Sequence, residues 1–319
     1  MFADDTNIFV SGSTRNEAIE KANIVLDAVF SYMVANKLHI NYDKCVYMHF
    51  SPSRWSSCAR VREYGSEITV KLNGDELNEV HETKFLGVII DNELSWLPHI
   101  KYLSKKLKCN TGVLNRIKES LPPHLFKSLY HTLFESHLTY GITVWGSASA
   151  TKLRPLFTAQ KHCIRIMFGN KEAYLNKMKT CVRAREWGNQ ELGEEFYTKE
   201  HTKPLFNKHT ILTLQHLYNY HSLFDTFKIV KTHTPILLHS CFTLSKRKDS
   251  LLITPAEDYG FAHAGSTLWN LLRSALPADN RINFHDDFGT SKTKIKNLLF
   301  FRQKIGDPDE WCDENLKLL

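Results

Sequence analysis

The spacing of apolar residues predicts one amphipathic helix near the start of the chain. Thr14 and Glu17 have the spacing of a capping box, in which two side chains bond backbone N–H groups at a helix N-terminus. From there, apolar residues recur three or four positions apart to about Asn36, as on the buried face of a helix. These apolar residues are Ile19, Ala22, Leu26, Val29, Phe30 and Met33.

Alternation of apolar and polar residues predicts short strands after this helix. EITVKLNGDEL carries Asn73-Gly74, a pair typical of a two-residue hairpin turn. The apolar run KFLGVIID predicts a further strand with a glycine inside it. Residues 1–95 therefore predict an α+β fold. The alternating residues are Leu38, Ile40 and Tyr42 in a first strand and Val46, Met48 and Phe50 in a second.

From His99 to about Asn170 the pattern changes to helices, which predicts a small bundle. GITVWGSAS, between the second and third helix, is predicted as a turn with an apolar, strand-like centre. The helices are predicted at His99–Ser120, Leu125–Tyr140 and Leu153–Phe168. The apolar positions of the second helix include Leu125, Leu129, Leu133 and Leu138, and the predicted inward positions of the third are Leu156, Ile164 and Met167.

The remainder of the chain is predicted to be mainly helical, with helical segments near Leu212–Lys231 and Ser266–Ala275. The aromatic and histidine residues of HTILTLQHLYNYHSLF favour an amphipathic helix with aromatics in its core over a ligand cluster. The predicted domains are residues 1–98, 99–170 and 171–319.

Charge adds a candidate surface to this picture. The 319-residue chain has a net charge of +7, a modest excess that permits a polyanionic partner. Between Lys101 and Lys118 lie six Lys or Arg residues and no Asp or Glu. Such a basic block is typical of phosphate contact, and solvated helix faces are the equally good alternative.

Cysteine and hydropathy patterns indicate a reduced protein without a membrane span. The seven cysteines are odd in number, and no two have the spacing of a metal-binding C-x-x-C pair. No apolar run approaches the roughly 20 residues that a membrane-spanning helix needs. We therefore expect a soluble, intracellular protein without a structural zinc.

Several motifs, taken in order, resemble the reverse transcriptases encoded by non-LTR retrotransposons of the arthropod type. FADDTNIF near the start resembles the metal-binding motif of that family, and Asn36–Lys44 resembles its next palm motif. Lys84–Ile100 is similar to the primer-grip hairpin and the approach to the thumb. LTYGITVWGSAS and LFTAQKHCIRIMFG resemble the helical thumb, and STLWNLL resembles a short motif near the end of such reading frames.

The resemblance implies a partial palm of strands plus one helix, a helical thumb and a C-terminal region. It implies RNA-directed DNA synthesis with two Mg²⁺ ions, for which Asp4 and Asp5 are the candidate ligands. Lys44 would lie near the incoming triphosphate, and Phe85, Leu86 and Gly87 would form the turn behind the primer strand. Trp96 is expected in the core where the thumb begins.

The resemblance also implies that an RNA template and a DNA primer are the partners, in the nucleus. Basic thumb residues would contact the phosphates of the template–primer duplex, which positions the duplex without reading its sequence. The candidate residues are Lys101, Lys105, Lys106, Lys108, Arg116, Lys118, Lys161 and Arg165.

The position of the FADD motif departs from the family pattern. The family has a further essential Asp and a Gly-containing motif well upstream of it, and Asp4 leaves no room for either. We therefore expect that residues 1–319 alone do not polymerise. A non-catalytic nucleic-acid-binding protein that keeps the basic helices, and a decayed insertion without function, stay open as alternatives.

Overall fold

The computed structural model describes residues 6–50, 68–169, 202–244, 252–253, 264–270 and 287–305. The chain divides into two compact units, Met1–Pro98 and His99–Leu319. The predicted α+β character is confirmed only coarsely, because helices predominate and the sheets are small. The predicted metal-binding residues Asp4 and Asp5 lie outside the described residues.

The first unit contains the predicted capped helix. Helix α1 is Arg15–Ala35, and the Thr14 hydroxyl accepts a hydrogen bond from the Glu17 N–H across 3.2 Å. The Glu17 carboxylate accepts from the Ser13 N–H across 2.8 Å, so the second bond of the predicted capping box goes to the residue before the N-cap and not to Thr14 itself. Lys21 lies 2.6 Å from this carboxylate; together with the Ser13 bonds it lowers the pKa of Glu17 to about 2.

Six short strands follow this helix among the described residues of the first unit, and they form three two-stranded sheets. The strands are β1 Val46–Tyr47, β2 Lys71–Leu72, β3 Asp75–Glu76, β4 Asn78–Glu79, β5 Glu82–Phe85 and β6 Val88–Asp91. Strands β2 and β3 are antiparallel around Asn73-Gly74, which confirms the predicted hairpin. Strands β1 and β4 are parallel, and strands β5 and β6 are antiparallel.

Asn23 attaches α1 to the edge of strand β2. Its side-chain amide donates to the Thr69 carbonyl across 3.1 Å, and its amide oxygen accepts from the Lys71 N–H across 2.8 Å. The side chain therefore satisfies the two backbone groups of a strand edge, as a neighbouring strand would do.

Two strand predictions in this unit are wrong. The segment around Leu38, Ile40 and Tyr42 is not a strand, because its backbone bonds locally: Tyr42–Lys44 is a 3₁₀ turn in which the Cys45 N–H donates to the Tyr42 carbonyl. KFLGVIID is not one strand but a hairpin, because Leu86 and Gly87 both have positive φ and reverse the chain.

The second unit contains the three predicted helices of the thumb segment. Helix α2 is Leu97–Ile117, followed by a 3₁₀ turn at Lys118–Ser120. The second helix begins with a 3₁₀ turn at Pro123–Leu125 and continues as α3 Phe126–Tyr130, a π-helical segment His131–Glu135 and α4 Ser136–Thr139. Helix α5 is Ile142–Trp145 and helix α6 is Ala150–Phe168.

The buried face of the second helix is largely aromatic. The buried residues are Phe126, Tyr130, Phe134 and Leu138, whereas Leu125 is 38% exposed. These buried residues are spaced four apart, and in a regular α-helix of 3.6 residues per turn each would be rotated away from the face of the one before it. The π segment has more residues per turn and returns Phe134 and Leu138 to the face of Phe126 and Tyr130.

The neighbouring helices contribute further buried residues to the core of the second unit. GITVWGSAS is not strand-like, because Gly141 has a φ of 62° and Ile142–Trp145 continues as a helical turn whose Ile142 and Trp145 are buried. In α6, the predicted inward residues Leu156, Ile164 and Met167 are 0–1% exposed, which confirms that face.

Later helices pack onto the same core. They are α7 Lys203–Lys208, α8 Leu214–Thr232, α9 Ile236–His239, α10 at residues 264–270 and α11 Phe288–Ile305, with a strand pair β7 Thr243–Leu244 and β8 Leu252–Ile253. Helix α8 contacts α5, α6 and α11, and its Leu217, Tyr218, Tyr220 and Phe227 are buried. The predicted helix with aromatic residues in its core is therefore confirmed. Its predicted amphipathic character is not, because the buried residues lie all round α8 and include Asn219, Ser222 and Thr226. Within the described residues, no helix is both long and apolar enough to cross a membrane.

Candidate nucleic-acid interface

One face of helix α2 is basic and exposed. Lys101, Lys105 and Lys108 follow the i, i+4, i+7 spacing of one helix face, and all three are exposed. The opposite face is buried through Ile100, Leu103, Ser104, Leu107, Thr111 and Leu114. Because Leu97–Ile117 contains no Asp or Glu, no carboxylate of this helix neutralises the three ammonium groups. We call Lys101, Lys105 and Lys108 the basic face.

Two further cations of α2 flank the basic face. Arg116 is exposed about two turns beyond it, and Lys106 is half-buried on the side toward the second helix. Burial lowers the pKa of His137, and the positive charge of Lys106 lowers it further. Lys106 therefore lies close to the second helix, whereas Lys101, Lys105 and Lys108 face solvent.

The remaining predicted phosphate contacts are half-buried. The Lys118 ammonium donates to the Ile166 carbonyl across 2.5 Å, which caps the last turn of α6, and lies 5.9 Å from the Phe126 ring. The Lys161 ammonium lies 4.5 Å from the Phe157 ring on its own helix. Arg165 is half-buried and adds to the effect of burial in lowering the pKa of His162.

The predicted primer-grip turn is a tight hairpin with strain at its tip. Leu86 has a φ of 44° and Gly87 a φ of 86°, as the two central residues of a type I′ turn require. Glycine adopts this conformation freely, whereas a leucine there costs about 1–2 kcal/mol. The turn presents Leu86 at 39% exposure, while Phe85 pairs with Val88 at the first rung.

Asp91 fixes the chain between this hairpin and α2. Its carboxylate accepts from the Ser95 N–H across 2.8 Å and from the Trp96 N–H across 2.9 Å, and the residue is 6% exposed. These bonds hold Leu94 and Trp96 at positive φ. Trp96 is half-buried and not in the core, contrary to the expectation. Sequence reasoning missed Asp91, although an Asp just before a helix is a common turn-forming signal.

The predicted catalytic residues are not brought together among the described residues. Lys44 is exposed at the end of its 3₁₀ turn, and Asp4 and Asp5 lie outside the described part of the chain. In that part, no group of three or more His, Cys, Asp or Glu side chains is arranged to hold a metal ion. The described cysteines are free thiols, and burial raises the pKa of the Cys163 thiol to about 12.

A pocket in the second unit had no counterpart in the sequence analysis. It has a volume of about 420 Å³ and lies against the π segment, helix α8 and helix α11. Its residues come from segments more than 60 positions apart, and no local pattern links them. Only the tertiary structure therefore reveals it.

Comparison with named proteins supports the family suggested by the motifs. The chain is 28% identical over 173 residues to the RNA-directed DNA polymerase from mobile element jockey of Drosophila funebris. It is 23% identical over 171 residues to the protein of the same name from Drosophila melanogaster. It is 26% identical over 151 residues to the retrovirus-related Pol polyprotein from type-1 retrotransposable element R1 of Bradysia coprophila. The chain is similar to non-LTR retrotransposon polymerases.

These matches cover part of each protein. They include 53%, 53% and 45% of this chain and 18%, 18% and 14% of the three relatives. The chain therefore spans less than a fifth of the length of the curated relatives it matches. No protein-family model matches the chain. No solved structure matches it either, so the palm and thumb assignments stay predictions.

Proposed function

We propose that this chain is part of an RNA-directed DNA polymerase of a non-LTR retrotransposon. In this proposal, the basic face of α2 binds the phosphate backbone of the template–primer duplex. The similarity to jockey and R1 proteins supports the family. The observation that carries the nucleic-acid contact is the set of three exposed lysines, spaced on one face of a helix without acidic residues.

Phosphate binding suits this surface physically. Each lysine that neutralises a phosphate releases a condensed counterion, so binding weakens steeply as salt rises. Lysines on one helix face can reach successive phosphates without contacting base edges, and such contacts set position and not sequence. The basic face therefore suits a polymerase, which must hold any sequence.

The test compares charge reversals on two surfaces of the full chain. The double variant Lys105→Glu/Lys108→Glu changes the basic face, and Lys208→Glu/Lys228→Glu is the matched control on exposed lysines of α7 and α8. Affinity for an RNA–DNA duplex is measured by fluorescence anisotropy at several salt concentrations. Because each lost phosphate contact lowers the salt slope by about 1, we expect the first variant to lower it by about 2.

The control variant is expected to keep the slope of the unmodified chain. The proposal fails if the two double variants weaken binding equally, or if binding by the unmodified chain does not depend on salt. Duplexes of several sequences are included, because phosphate contacts predict an equal loss for all of them.

The catalytic assignments form the finer part of this proposal. Asp4 and Asp5 are the proposed ligands of Mg²⁺, a hard cation that takes carboxylate and phosphate oxygens and would stabilise the charge that develops during nucleotidyl transfer. Lys44 is the proposed contact of the incoming triphosphate, and its exposure leaves its ammonium accessible. The hairpin turn at Phe85, Leu86 and Gly87 is the proposed primer contact.

The second candidate is a nucleic-acid-binding protein without catalysis. The same basic face favours it, so the charge-reversal test does not separate it from a polymerase. Template-dependent nucleotide incorporation tests for a working polymerase. Incorporation by the full chain with Mg²⁺ that is lost in Asp4→Asn would support catalysis and reject the second candidate. Duplex binding without incorporation is expected both of a polymerase segment that is inactive alone and of the second candidate.

A further inference from the structure

The 420 Å³ pocket in the second unit combines acidic, aromatic and basic walls. Its volume is in the range of about 300–1,000 Å³ that small-molecule sites occupy. One wall is the π segment, and π segments inside α-helices are frequent at functional sites. The polar residues of its lining include Glu135, Tyr220, Asp225, Lys292 and Lys296.

Two carboxylates supply hydrogen-bond acceptors. One oxygen of Glu135 lies 3.0 Å from His131 Nδ1, while the other is buried and has no hydrogen-bond partner among the described residues. Burial raises the pKa of Asp225, which places its carboxyl group in a poorly hydrated position. Burial raises the pKa of Tyr220 as well, and the charges of Asp225 and Glu135 add to this effect, so both carboxylates lie near that ring.

The floor of the pocket is apolar and aromatic. Leu212 and Leu217 are each 3% exposed, and Tyr220 is 8% exposed. The Phe224 ring lies nearly parallel to the Tyr220 ring, at an interplanar angle of 6° and a centroid separation of 6.4 Å. A flat aromatic heterocycle would find stacking partners here, as the bases of single-stranded nucleic acids do on protein aromatics.

The rim of the pocket carries two exposed cations. Lys292 and Lys296 are one turn apart on α11, so their ammonium groups share one helix face. Burial lowers the pKa of His221, the negative charge of Glu135 opposes this effect, and the positive charge of Lys292 adds to it, so both charged side chains lie near this imidazole. A phosphate at the mouth would meet positive charge while its attached base reached the carboxylates.

We propose that this pocket binds one nucleotide of a single strand, with its base against Tyr220 and its phosphate between Lys292 and Lys296. Glu135 and Asp225 accept hydrogen bonds from N–H groups of the base. Guanine is the preferred base, because its adjacent N1–H and N2–H₂ donors match a carboxylate, whereas uracil offers a single N–H. That the strand is a template or primer end rests on the proposed function.

The test uses mononucleotides with the full chain. GMP, AMP, CMP, UMP and ribose 5-phosphate are titrated by isothermal calorimetry, with circular dichroism to confirm that each variant is folded. We expect GMP to bind tightest, UMP about tenfold more weakly, and ribose 5-phosphate weakest, since a charge-assisted hydrogen bond typically contributes about a factor of ten.

Variants on each wall identify the contacts. Glu135→Gln replaces a charged acceptor by an amide. It is expected to lower the affinity for GMP about tenfold and the affinity for UMP by less. Lys292→Ala is expected to weaken all four nucleotides by a similar factor and to leave guanosine, which lacks the phosphate, unchanged. Glu119→Gln, on the 3₁₀ turn after α2, is the matched control for the carboxylate. Asp225→Asn replaces Glu135→Gln if that variant does not fold.

Two results would overturn the pocket proposal. One is equal binding of GMP, UMP and ribose 5-phosphate; the other is unchanged GMP affinity in Glu135→Gln and Asp225→Asn. Lys105→Ala separates this proposal from the proposed function, because it is expected to weaken duplex binding and to leave GMP binding unchanged. If the full chain binds the duplex but no mononucleotide, the pocket proposal alone is rejected. If it binds GMP but no duplex, the proposed duplex surface alone is rejected.

Discussion

The side-chain amide of Gln160 donates a hydrogen bond to the hydroxyl group of Tyr130 across 3.0 Å, and both residues are completely buried. The same amide donates to the Leu212 carbonyl across 3.0 Å, and its oxygen accepts from the Leu214 N–H across 2.9 Å. One polar side chain of α6 therefore joins the second helix to the start of α8, close to the pocket. Buried polar groups satisfied in this way specify one packing arrangement.

Gln160→Leu is expected to destabilise the second unit by about 2–4 kcal/mol. The replacement fills similar space but leaves buried backbone groups of Leu212 and Leu214 without partners, and each such group costs about 1–3 kcal/mol. Urea unfolding followed by circular dichroism measures the loss. Gln215→Leu is the control, because among the described residues that half-buried amide bonds only Asn219, and an equal loss there would contradict the argument.

Asp91→Ala is expected to destabilise the first unit by about 2 kcal/mol, because two part-buried backbone N–H groups lose a charged acceptor. Asp91→Asn keeps one carbonyl oxygen and should lose less. Trp96 fluorescence in urea reports the change, since this side chain lies in the affected turn. The exposed Asp75→Ala is the control, and a similar shift there would count against a specific role for Asp91.

Leu86→Asn is expected to stabilise the first unit by about 1 kcal/mol. Asparagine tolerates positive φ, and Asn-Gly is a preferred type I′ pair, whereas the leucine at φ 44° is strained. Leu86→Ala removes the same apolar surface but keeps the strain, so it serves as the matched control. Equal unfolding free energies for the two variants would show that strain is not released.

Lowering the pH from 7.5 to 5.5 is expected to destabilise the second unit. Burial lowers the pKa of His99, so the unfolded chain binds a proton near its ordinary pKa while the folded chain does not. The stabilising contribution is present above about pH 6.5 and is lost as pH falls below it. His137, His162, His209 and His221 act in the same direction for the same main reason.

Asp225 acts in the opposite direction, because burial raises its pKa and its stabilising contribution is present at low pH and lost as pH rises. Urea unfolding at both pH values gives the net effect. His99→Gln is expected to reduce the pH dependence, and His124→Gln, on an exposed turn, is the control. A pH dependence unchanged in His99→Gln would contradict the assignment.

Asp4→Asn/Asp5→Asn is expected to weaken Mn²⁺ binding by the full chain, with Mn²⁺ as a spectroscopic substitute for Mg²⁺. Two adjacent carboxylates repel one another, and a cation bound between them removes that repulsion. Replacing both carboxylates by neutral amides therefore removes most of the electrostatic attraction for Mn²⁺. Electron paramagnetic resonance of free Mn²⁺ measures the change. Unaltered binding relative to an Asp75→Asn control would reject the metal assignment.

Local sequence determined those elements whose causes lie within a few residues. Thr14 and Glu17 stabilise the start of α1 because they are three positions apart. At that spacing the Thr14 hydroxyl reaches the Glu17 N–H and the Glu17 carboxylate reaches the Ser13 N–H. Asn73-Gly74 makes a hairpin because both residues tolerate positive φ. The long apolar repeats predicted α2 and α6, and the order of motifs predicted the family.

Tertiary structure decided the rest, because these features depend on partners far away in sequence. Leu86 adopts positive φ only because the pairing of β5 with β6 compensates its strain, so the same run looked like one strand. The second helix buries Phe126 and Tyr130 and exposes Leu125, and its π segment keeps that stripe against the core. Gln160 and the pocket beside it join segments about 50 or more residues apart, and folding alone brings those polar groups together.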